Sequence, residues 1–399
     1  MKAFKDVHKY DNYFAMKADN QPALTKGIYI HVPFCRQACR YCDFYFTVSL
    51  RYLDGFINAL VEEIRQKGEG FHGGPLETLY LGGGTPSLLS ASHLEKILNA
   101  LLKYYSFRQQ PEWTMECNPD DLDKATLKKI KSLGFNRLSI GVQSFVERDL
   151  KIMRRSHNAR QAEDSVHLAG TAGFNQITVD LIYGIPGQTA AEWEKNIEKA
   201  LSLPVNHLSA YHLTFEPGTI FDHWRKKGTL LPVPEEESVT LYRILRQKLL
   251  TAGFEHYELS NFGRGNIVSR HNMLYWNGSS YLGLGPSAHS YDGVSRSWNI
   301  ASLKEYVTRI TSGKSIIETE KLSLGEKYHD YLITSLRTKW GADAMHIEQA
   351  FGEKYRRYFE KQAQTFLSAG SMNNEHGHWV IEAGHWLITD HILRALFLD

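Results

Sequence analysis

GIYIHVPFCRQACRYC, residues 27–42, carries the alternating run Ile28-Tyr29-Ile30 straight into Cys35, Cys39 and Cys42. Period-two alternation reads as a β-strand, and the cysteines follow where that strand must end. Three of the chain's four cysteines therefore lie within eight positions. Four cysteines in 399 residues do not make a disulfide framework, and a reducing compartment keeps them free for metal or redox chemistry. A structural zinc site wants four ligands, and the fourth would have to be His31, Asp43 or the distant Cys117. A redox C-x-x-C takes Cys39 and Cys42 and leaves Cys35 unexplained. An iron–sulfur cubane usually takes four thiolates, so three imply one iron left open for another ligand. The spacing favours the cluster, with zinc as the alternative.

Outward from this strand the same unit recurs: a short β-rich run, a polar or glycine-rich loop, then an amphipathic helical stretch. The strands are expected at 27–33, 77–82, 112–117, 137–142, 177–183 and 207–213, and the helices at 50–67, 91–104, 121–132, 159–172, 190–202 and 235–252. Six βα units predict a parallel sheet, because each crossover returns the chain to the same end. Six strands rather than eight suggest a partial barrel, an α/β fold of the (β/α)6 type, whose site lies at the carboxyl ends of the strands. Those ends carry the cysteines, then Gly82-Gly83-Gly84-Thr85-Pro86, Glu116-Cys117-Asn118-Pro119, Gln143-Ser144, and Asp180 running into Gly184-Ile185-Pro186-Gly187. Five successive strand ends bearing polar or glycine-rich residues in register mark a functional mouth.

Beyond the barrel, assigned to 27–255, the pattern loosens. Residues 256–320 are aromatic and glycine-rich and include Gly283-Leu-Gly-Pro-Ser-Ala-His-Ser, which can bring backbone close to a ligand. From 321 to 399, helices at 327–338, 343–351 and 354–369 precede two β-like runs, HWVIEA and HWLITD. This order suggests a small α+β winged-helix-like domain. Lys+Arg of 46 against Asp+Glu of 44 gives a net +2, which argues against nucleic acid as a partner. Residues 1–26 read as a polar N-terminal extension without a signal-peptide core, and no stretch approaches the roughly 18 to 20 apolar residues of a membrane span. A cytoplasmic location is expected.

C-x3-C-x2-C with Tyr41 before the last cysteine resembles the signature of the radical S-adenosylmethionine (SAM) superfamily. The resemblance implies a [4Fe–4S] cluster on Cys35, Cys39 and Cys42, with SAM chelating the open iron and, on reduction, yielding methionine and a 5′-deoxyadenosyl radical. Tyr29-Ile-His-Val-Pro-Phe-Cys, Gly82-Gly-Gly-Thr-Pro, Glu116-Cys-Asn-Pro, Gly141-Val-Gln-Ser-Phe and Asp180-Leu-Ile-Tyr-Gly-Ile-Pro-Gly-Gln-Thr are similar to the oxygen-independent coproporphyrinogen III dehydrogenase group. That resemblance covers roughly residues 27–390 and makes the C-terminal domain one of HemN type. It implies that Tyr29 lies against the methionyl part of SAM and Tyr41 near the adenine. Gly83, Gly84 and Thr85 would meet the methionine amino group, and Glu116, Gln143, Arg155 and Asp180 would line the pocket, with Arg154 an alternative to Arg155.

Two features depart from the dehydrogenase. Phe44 stands where that group has a further cysteine, and the short polar start does not resemble the segment that closes over its porphyrin. His271-Asn-Met-Leu-Tyr-Trp276 instead resembles the H-N-x-x-Y-W mark of the HemW branch of haem chaperones. The resemblance implies haem as ligand and cargo, with His271 as the candidate iron ligand and His289 as a second. A haem-accepting protein and a reductant for the cluster follow as partners. The expected function is a haem chaperone that binds cluster, SAM and haem. The enzyme alternative is coproporphyrinogen III dehydrogenation in porphyrin biosynthesis; radical-SAM modification of RNA lacks a basic RNA-binding module.

Overall fold

The two faces of the six expected strands differ sharply in chemistry. The structure, a computed structural model, describes residues 26–69, 71 and 73–398, so the expected N-terminal extension lies, apart from Lys26, outside the described residues. The strands are β1 (Gly27–Val32), β2 (Leu76–Gly83), β3 (Phe107–Cys117), β4 (Arg137–Gln143), β5 (Gln176–Tyr183) and β6 (His207–His212). They pair in sequence order and all in parallel. On the outer face Ile28, Ile30, Leu79, Leu81, Met115, Leu138, Ile140, Val179, Leu181 and Leu208 are buried. On the inner face the alternate positions are Tyr29, His31, Thr78, Tyr80, Thr114, Glu116, Arg137, Ser139, Thr178, Asp180 and Ser209. The apolar half of each strand packs under helices, and the polar half lines the lumen of the partial barrel.

The covering helices are α1 (Leu53–Gly68), α2 (Ala91–Tyr104), α3 (Lys124–Ser132), α4 (Glu147–Met153), α5 (Ala159–Thr171) and α6 (Ala190–Leu201). Their starts are chemically marked: Ser90, Asp123, Asn158 and Thr189 each accept a backbone N–H of the first turn, and Asn158 and Thr189 complete capping boxes with Gln161 and Glu192. The helix expected at 121–132 starts later, because Pro119–Asp121 forms a single 3-10 turn and Asp123 caps α3. After β6 come α7 (Ile220–Lys226) and α8 (Glu235–Thr251). The fold is thus the expected partial (β/α)6 barrel with a C-terminal domain.

The strands between residues 254 and 321 are not among those expected from the sequence. β7 (Phe254–Glu258) and β8 (Asn261–Arg264) form a hairpin whose β8 pairs antiparallel with β6. After α9 (Arg270–Trp276), β9 (Tyr281–Leu284) pairs parallel with β1 at the opposite edge. β10 (His289–Tyr291), β11 (Ser295–Asn299) and, after α10 (Leu303–Thr311), β12 (Ile317–Lys321) continue that edge antiparallel. The result is one 12-stranded sheet in the order β12-β11-β10-β9-β1-β2-β3-β4-β5-β6-β8-β7. Residues 256–320 therefore extend the barrel wall on both sides, and α9 lies across the lumen face against β2.

The C-terminal part has α11 (Leu324–Ser335), β13 (Ala342–Asp343), α12 (Ala344–Phe351), α13 (Glu353–Ser368), β14 (Met372–Glu375), β15 (His378–Ile381) and α14 (Thr389–Leu396). HWVIEA supplies β15, but HWLITD is not a strand: it forms a 3-10 turn, Ala383–Ile388, leading into α14. β15 is already paired on both sides, by β13 and β14, and buried Trp386 turns back so that its indole N–H donates to Ile381 O at 2.9 Å. This part docks on the hairpin through Leu259 N to Arg337 O and Lys339 N to Tyr257 O, both 3.0 Å. No helix among the described residues is long and apolar enough to cross a membrane.

Candidate functional site

The cysteine loop stands on the carboxyl end of β1 because its base is closed. Phe34 bridges Thr47, Thr47 N donates to Pro33 O at 2.7 Å, and Cys35 N donates to Thr47 O at 3.0 Å. Its far side is held by Arg40, whose N–H reaches Met153 O at 3.1 Å and whose guanidinium lies 4.8 Å from the Trp224 ring centre. Arg36 anchors it to buried Asp121 at 2.5 Å. Burial pushes the Cys35 thiol up, and Cys39 adds to the shift. Burial likewise pushes Cys42 up to about 12, with Cys39, Cys35 and Asp43 contributing. Cys35 and Cys42 thus resist ionisation until a cation takes them, and Arg155 Nη1 approaches Cys39 Sγ at 3.3 Å.

The alternative zinc set loses its candidates for the fourth ligand. His31 is buried with both ring nitrogens engaged, Nε2 with Tyr45 O at 2.8 Å and Nδ1 with the Tyr29 hydroxyl at 3.1 Å. Cys117 is in the outer-face core, its thiol directed at Met115 O. Asp43 is exposed. Among the described residues no three His, Cys, Asp or Glu side chains are gathered as ligands of one metal ion. Three thiolates, one for each of three irons, are the donor set of a cubane whose fourth iron stays open.

Beside the thiols, the end of β2 forms a bare cradle. Gly83 has φ 103°, and a Cβ there would lie 2.5 Å from the His31 ring; one on Gly84 would lie 2.7 Å from Phe34 O and Val32 O. Any side chain would displace the cysteine strand. Buried Thr85 follows, with its hydroxyl interacting with the Cys35 thiol and accepting from Asn118 Nδ2 at 3.4 Å. Glu116 closes the cradle from β3: it accepts from Gly83 N at 3.0 Å and from Tyr80 OH at 2.8 Å. Burial, reinforced by Asp180, raises its carboxyl to about 7 despite those donors. Asp180 on β5 accepts from Ser139 at 3.0 and 3.1 Å, and burial raises it to about 6 against the pull of Ser209 and Ser139.

The ambiguity between two arginines is resolved by backbone geometry. Arg154 ends α4 at φ 57° with its side chain exposed, and the left-handed turn swings Arg155 inward. Arg155 Nη2 donates to Asn118 Oδ1 at 2.7 Å and Gly141 O at 2.9 Å, and Nη1 lies 3.4 Å from Tyr41 OH. Gln143 has φ 67° at a register break between β4 and β5, and a Cβ on Gly141 would lie 2.9 Å from Gln143 Nε2 and 3.3 Å from Arg155 Nη2. The structure thus gathers Cys35, Cys39, Cys42, Tyr41, Gly83, Gly84, Thr85, Glu116, Gln143, Arg155, Asp180 and Tyr29 at one mouth. Asn118, in the strand-three end already singled out, is joined by Tyr80, Ser139 and Ser209, which sequence reasoning missed. Tyr80, Ser139 and Ser209 lie on β2, β4 and β6, directly beside Tyr29, Glu116 and Asp180 in the sheet, a neighbourhood set by inter-strand register rather than by any signal within one strand.

His271 is elsewhere engaged. Its ring is 1% exposed, Nδ1 pairs with the Thr78 hydroxyl at 2.7 Å, Nε2 with the Tyr275 hydroxyl at 2.9 Å, and the ring stacks on Tyr80 at 5.0 Å. Burial lowers it to about 3, so it is neutral, but neither nitrogen is free for iron. The ring forms part of the lumen floor. His289 is exposed and stacks on Trp298 at 5.9 Å, with neither ring nitrogen hydrogen-bonded among the described residues.

Residues 29–200 match the radical SAM superfamily. The chain is 35% identical over 355 residues to "Heme chaperone HemW" of Bacillus subtilis, covering 88% of this chain and 93% of that protein. It is 36% identical to the protein of the same name from Lactococcus lactis, covering 84% and 86%. Its fold is similar to that of Escherichia coli coproporphyrinogen III oxidase HemN, a radical SAM enzyme, with a TM-score of 0.82, 22% identity and coverage of 95% and 92%.

Proposed function

Because the chain belongs to the HemW family of radical SAM proteins, we propose that it is a haem chaperone, binding haem and handing it to a haem-accepting protein. The observation that carries the reading is similarity to proteins of that name along nearly their whole length, together with Phe44 in place of a further cysteine. Phe44 is 65% exposed beside the loop and contributes no proton-transfer or ligand group. In this reading Cys35, Cys39 and Cys42 hold a [4Fe–4S] cluster, fed by an external reductant in a reducing compartment such as the cytoplasm. When bound, that cluster supplies an open iron position and an electron for SAM.

The chain's own residues orient and exclude. Gly83, Gly84 and Thr85 leave room for a methionine amino group, and Glu116, poised near neutrality, receives its charge. Arg155 and Gln143 provide donors at the opposite wall, with Tyr41 beside them, while Asp180, held by two serines, presents acceptors from β5. Tyr29 and Tyr80 cover the floor and keep water from the cradle.

The test is anaerobic, on protein with reconstituted cluster. Added haem is expected to give a stable complex with a shifted Soret band and to pass to an apo-haem protein on mixing. Coproporphyrinogen III with SAM and a reductant is expected to give no protoporphyrinogen. Turnover of coproporphyrinogen without haem binding replaces the chaperone reading with the dehydrogenase one.

A further inference from the structure

Resting on the haem-chaperone reading, we propose that the iron ligand is His289, carried over the lumen face by β10, and that His271 is a positioning residue beneath it. The placement is set by strand register. Trp298 pairs with His289 across β11 and β10, Tyr291 pairs with Tyr281, Gly283 pairs with Tyr29, and Tyr29 pairs with Tyr80. Partners in a sheet share a face, so Tyr281, two positions before Gly283, lies on the face of Tyr29 and Tyr80, and its partner Tyr291 carries that face to His289, two positions earlier on β10, and to Trp298.

Gly283 decides how that face is shaped. A Cβ at Gly283 would point to the lumen face and lie 2.1 Å from the His289 carbonyl oxygen. The missing side chain therefore lets the backbone of β10 fold over β9 on the lumen side, toward Tyr29. The turn between them is rigid. Gly285 N donates to Glu63 at 2.8 Å, Asn299 Nδ2 donates to Gly285 O and to Glu63 at 2.7 Å each, and the Tyr306 hydroxyl donates to Glu63 at 2.6 Å.

The side chains on this wall match a flat macrocycle with iron at its centre. His289 is exposed, without a hydrogen bond to its ring among the described residues, and backed by Trp298, whose indole N–H is held by Glu318 at 2.9 Å. Partial desolvation and nearby Arg296 lower its pKa, which favours the neutral imidazole that binds iron. Tyr281 and Tyr291 continue the wall at 6.4 Å from each other, and Tyr275 meets Tyr281 at 4.6 Å. His271, by contrast, would have to surrender two buried hydrogen bonds and its stacking on Tyr80 before it met iron. Its bonds instead fix Thr78, Tyr275 and the floor on which Tyr29 and Tyr80 rest.

Haem is titrated into the cluster-loaded wild type, His289→Ala, His289→Met and His271→Gln, with iron and sulfide content as a check on the cluster. Soret difference spectra and electron paramagnetic resonance of the ferric haem are the readouts. His289→Ala is expected to lose at least tenfold in haem affinity and the nitrogen-ligated signature, and added imidazole is expected to restore that signature. His289→Met is expected to change the axial signature while retaining the cluster. His271→Gln is expected to keep the nitrogen-ligated signature at whatever haem occupancy it reaches. Wild-type spectra and affinity in both His289 variants overturn this assignment and leave the chaperone reading standing. Loss of the signature in His271→Gln with haem still bound overturns it in favour of His271. A wild type that binds no haem overturns the chaperone reading itself.

Discussion

Glu116→Gln is the perturbation that tests whether the cradle is built around a carboxyl held near neutrality. Burial raises Glu116 from the ordinary 4.5 to about 7. At roughly 1.4 kcal/mol per pH unit, keeping that charge in the lumen costs the ligand-free fold about 3 kcal/mol once the group is fully ionised. The sign is fixed by proton counts. Between pH 4.5 and 7 the unfolded chain has released the proton while the folded chain retains it, so stability falls as pH rises and levels off above pH 7. Glutamine is isosteric and still accepts from Gly83 N, so the fold is retained while the titration is removed. Glu258, raised to about 7 by burial, and Asp180, raised to about 6, titrate in both proteins, and the difference between the two profiles isolates Glu116 together with its coupling to Asp180. Urea denaturation of both proteins without SAM, at intervals from about pH 5 to pH 8, measures it. Wild type is expected to lose about 2 to 3 kcal/mol more than the variant over that range. Parallel profiles would refute the argument that the lumen desolvates this carboxyl.

Cys117→Ala is expected to keep full iron and sulfide content and to cost only about 1 kcal/mol of core packing, whereas Cys35→Ala, Cys39→Ala or Cys42→Ala each lose the cluster. Iron and sulfide assays decide, and a cluster lost in Cys117→Ala would sink the three-thiolate assignment. Arg155→Met removes the hydrogen bonds to Asn118 and Gly141 O and the approach to Cys39, at roughly 1.5 to 3 kcal/mol for a charged donor. Calorimetry is expected to show SAM bound about ten- to a hundredfold more weakly, and unchanged affinity would remove Arg155 from the pocket. Glu63→Ala strips the buried carboxylate that Lys67, Asn299, Tyr306 and Gly285 share, and is expected to destabilise the fold by about 3 to 5 kcal/mol in urea. A loss under about 1 kcal/mol would show that the glycine-rich turn is held by something else.

Much of this protein was determined by its sequence alone. Alternation in GIYIHVP, the glycine triplet at 82–84 and the capped helices are local signals: each strand and helix carries its own apolar period and its own boundary residues, so the βα repeat, the partial barrel and the cysteine triad are legible without coordinates. Residues 254–321 lack that local signal. Their strands are three to five residues long and join the sheet by pairing with β6 and β1, contacts between segments far apart in the chain. HWLITD carries β-like alternation, yet the sheet it would join has both sides of β15 filled. The same distinction separates the two histidines. H-N-x-x-Y-W marks His271 in the sequence, but ligation needs an accessible nitrogen, and only packing against Thr78, Tyr275 and Tyr80 determines that this ring has none. His289 carries no comparable mark. Its exposed ring, without a hydrogen bond among the described residues, and the close approach of its backbone to Gly283 exist only in the folded chain. Residue types and spacing specify which chemistry a chain can hold; which copy of a group is free to perform it is settled by burial and hydrogen bonding, which exist only once the chain is folded.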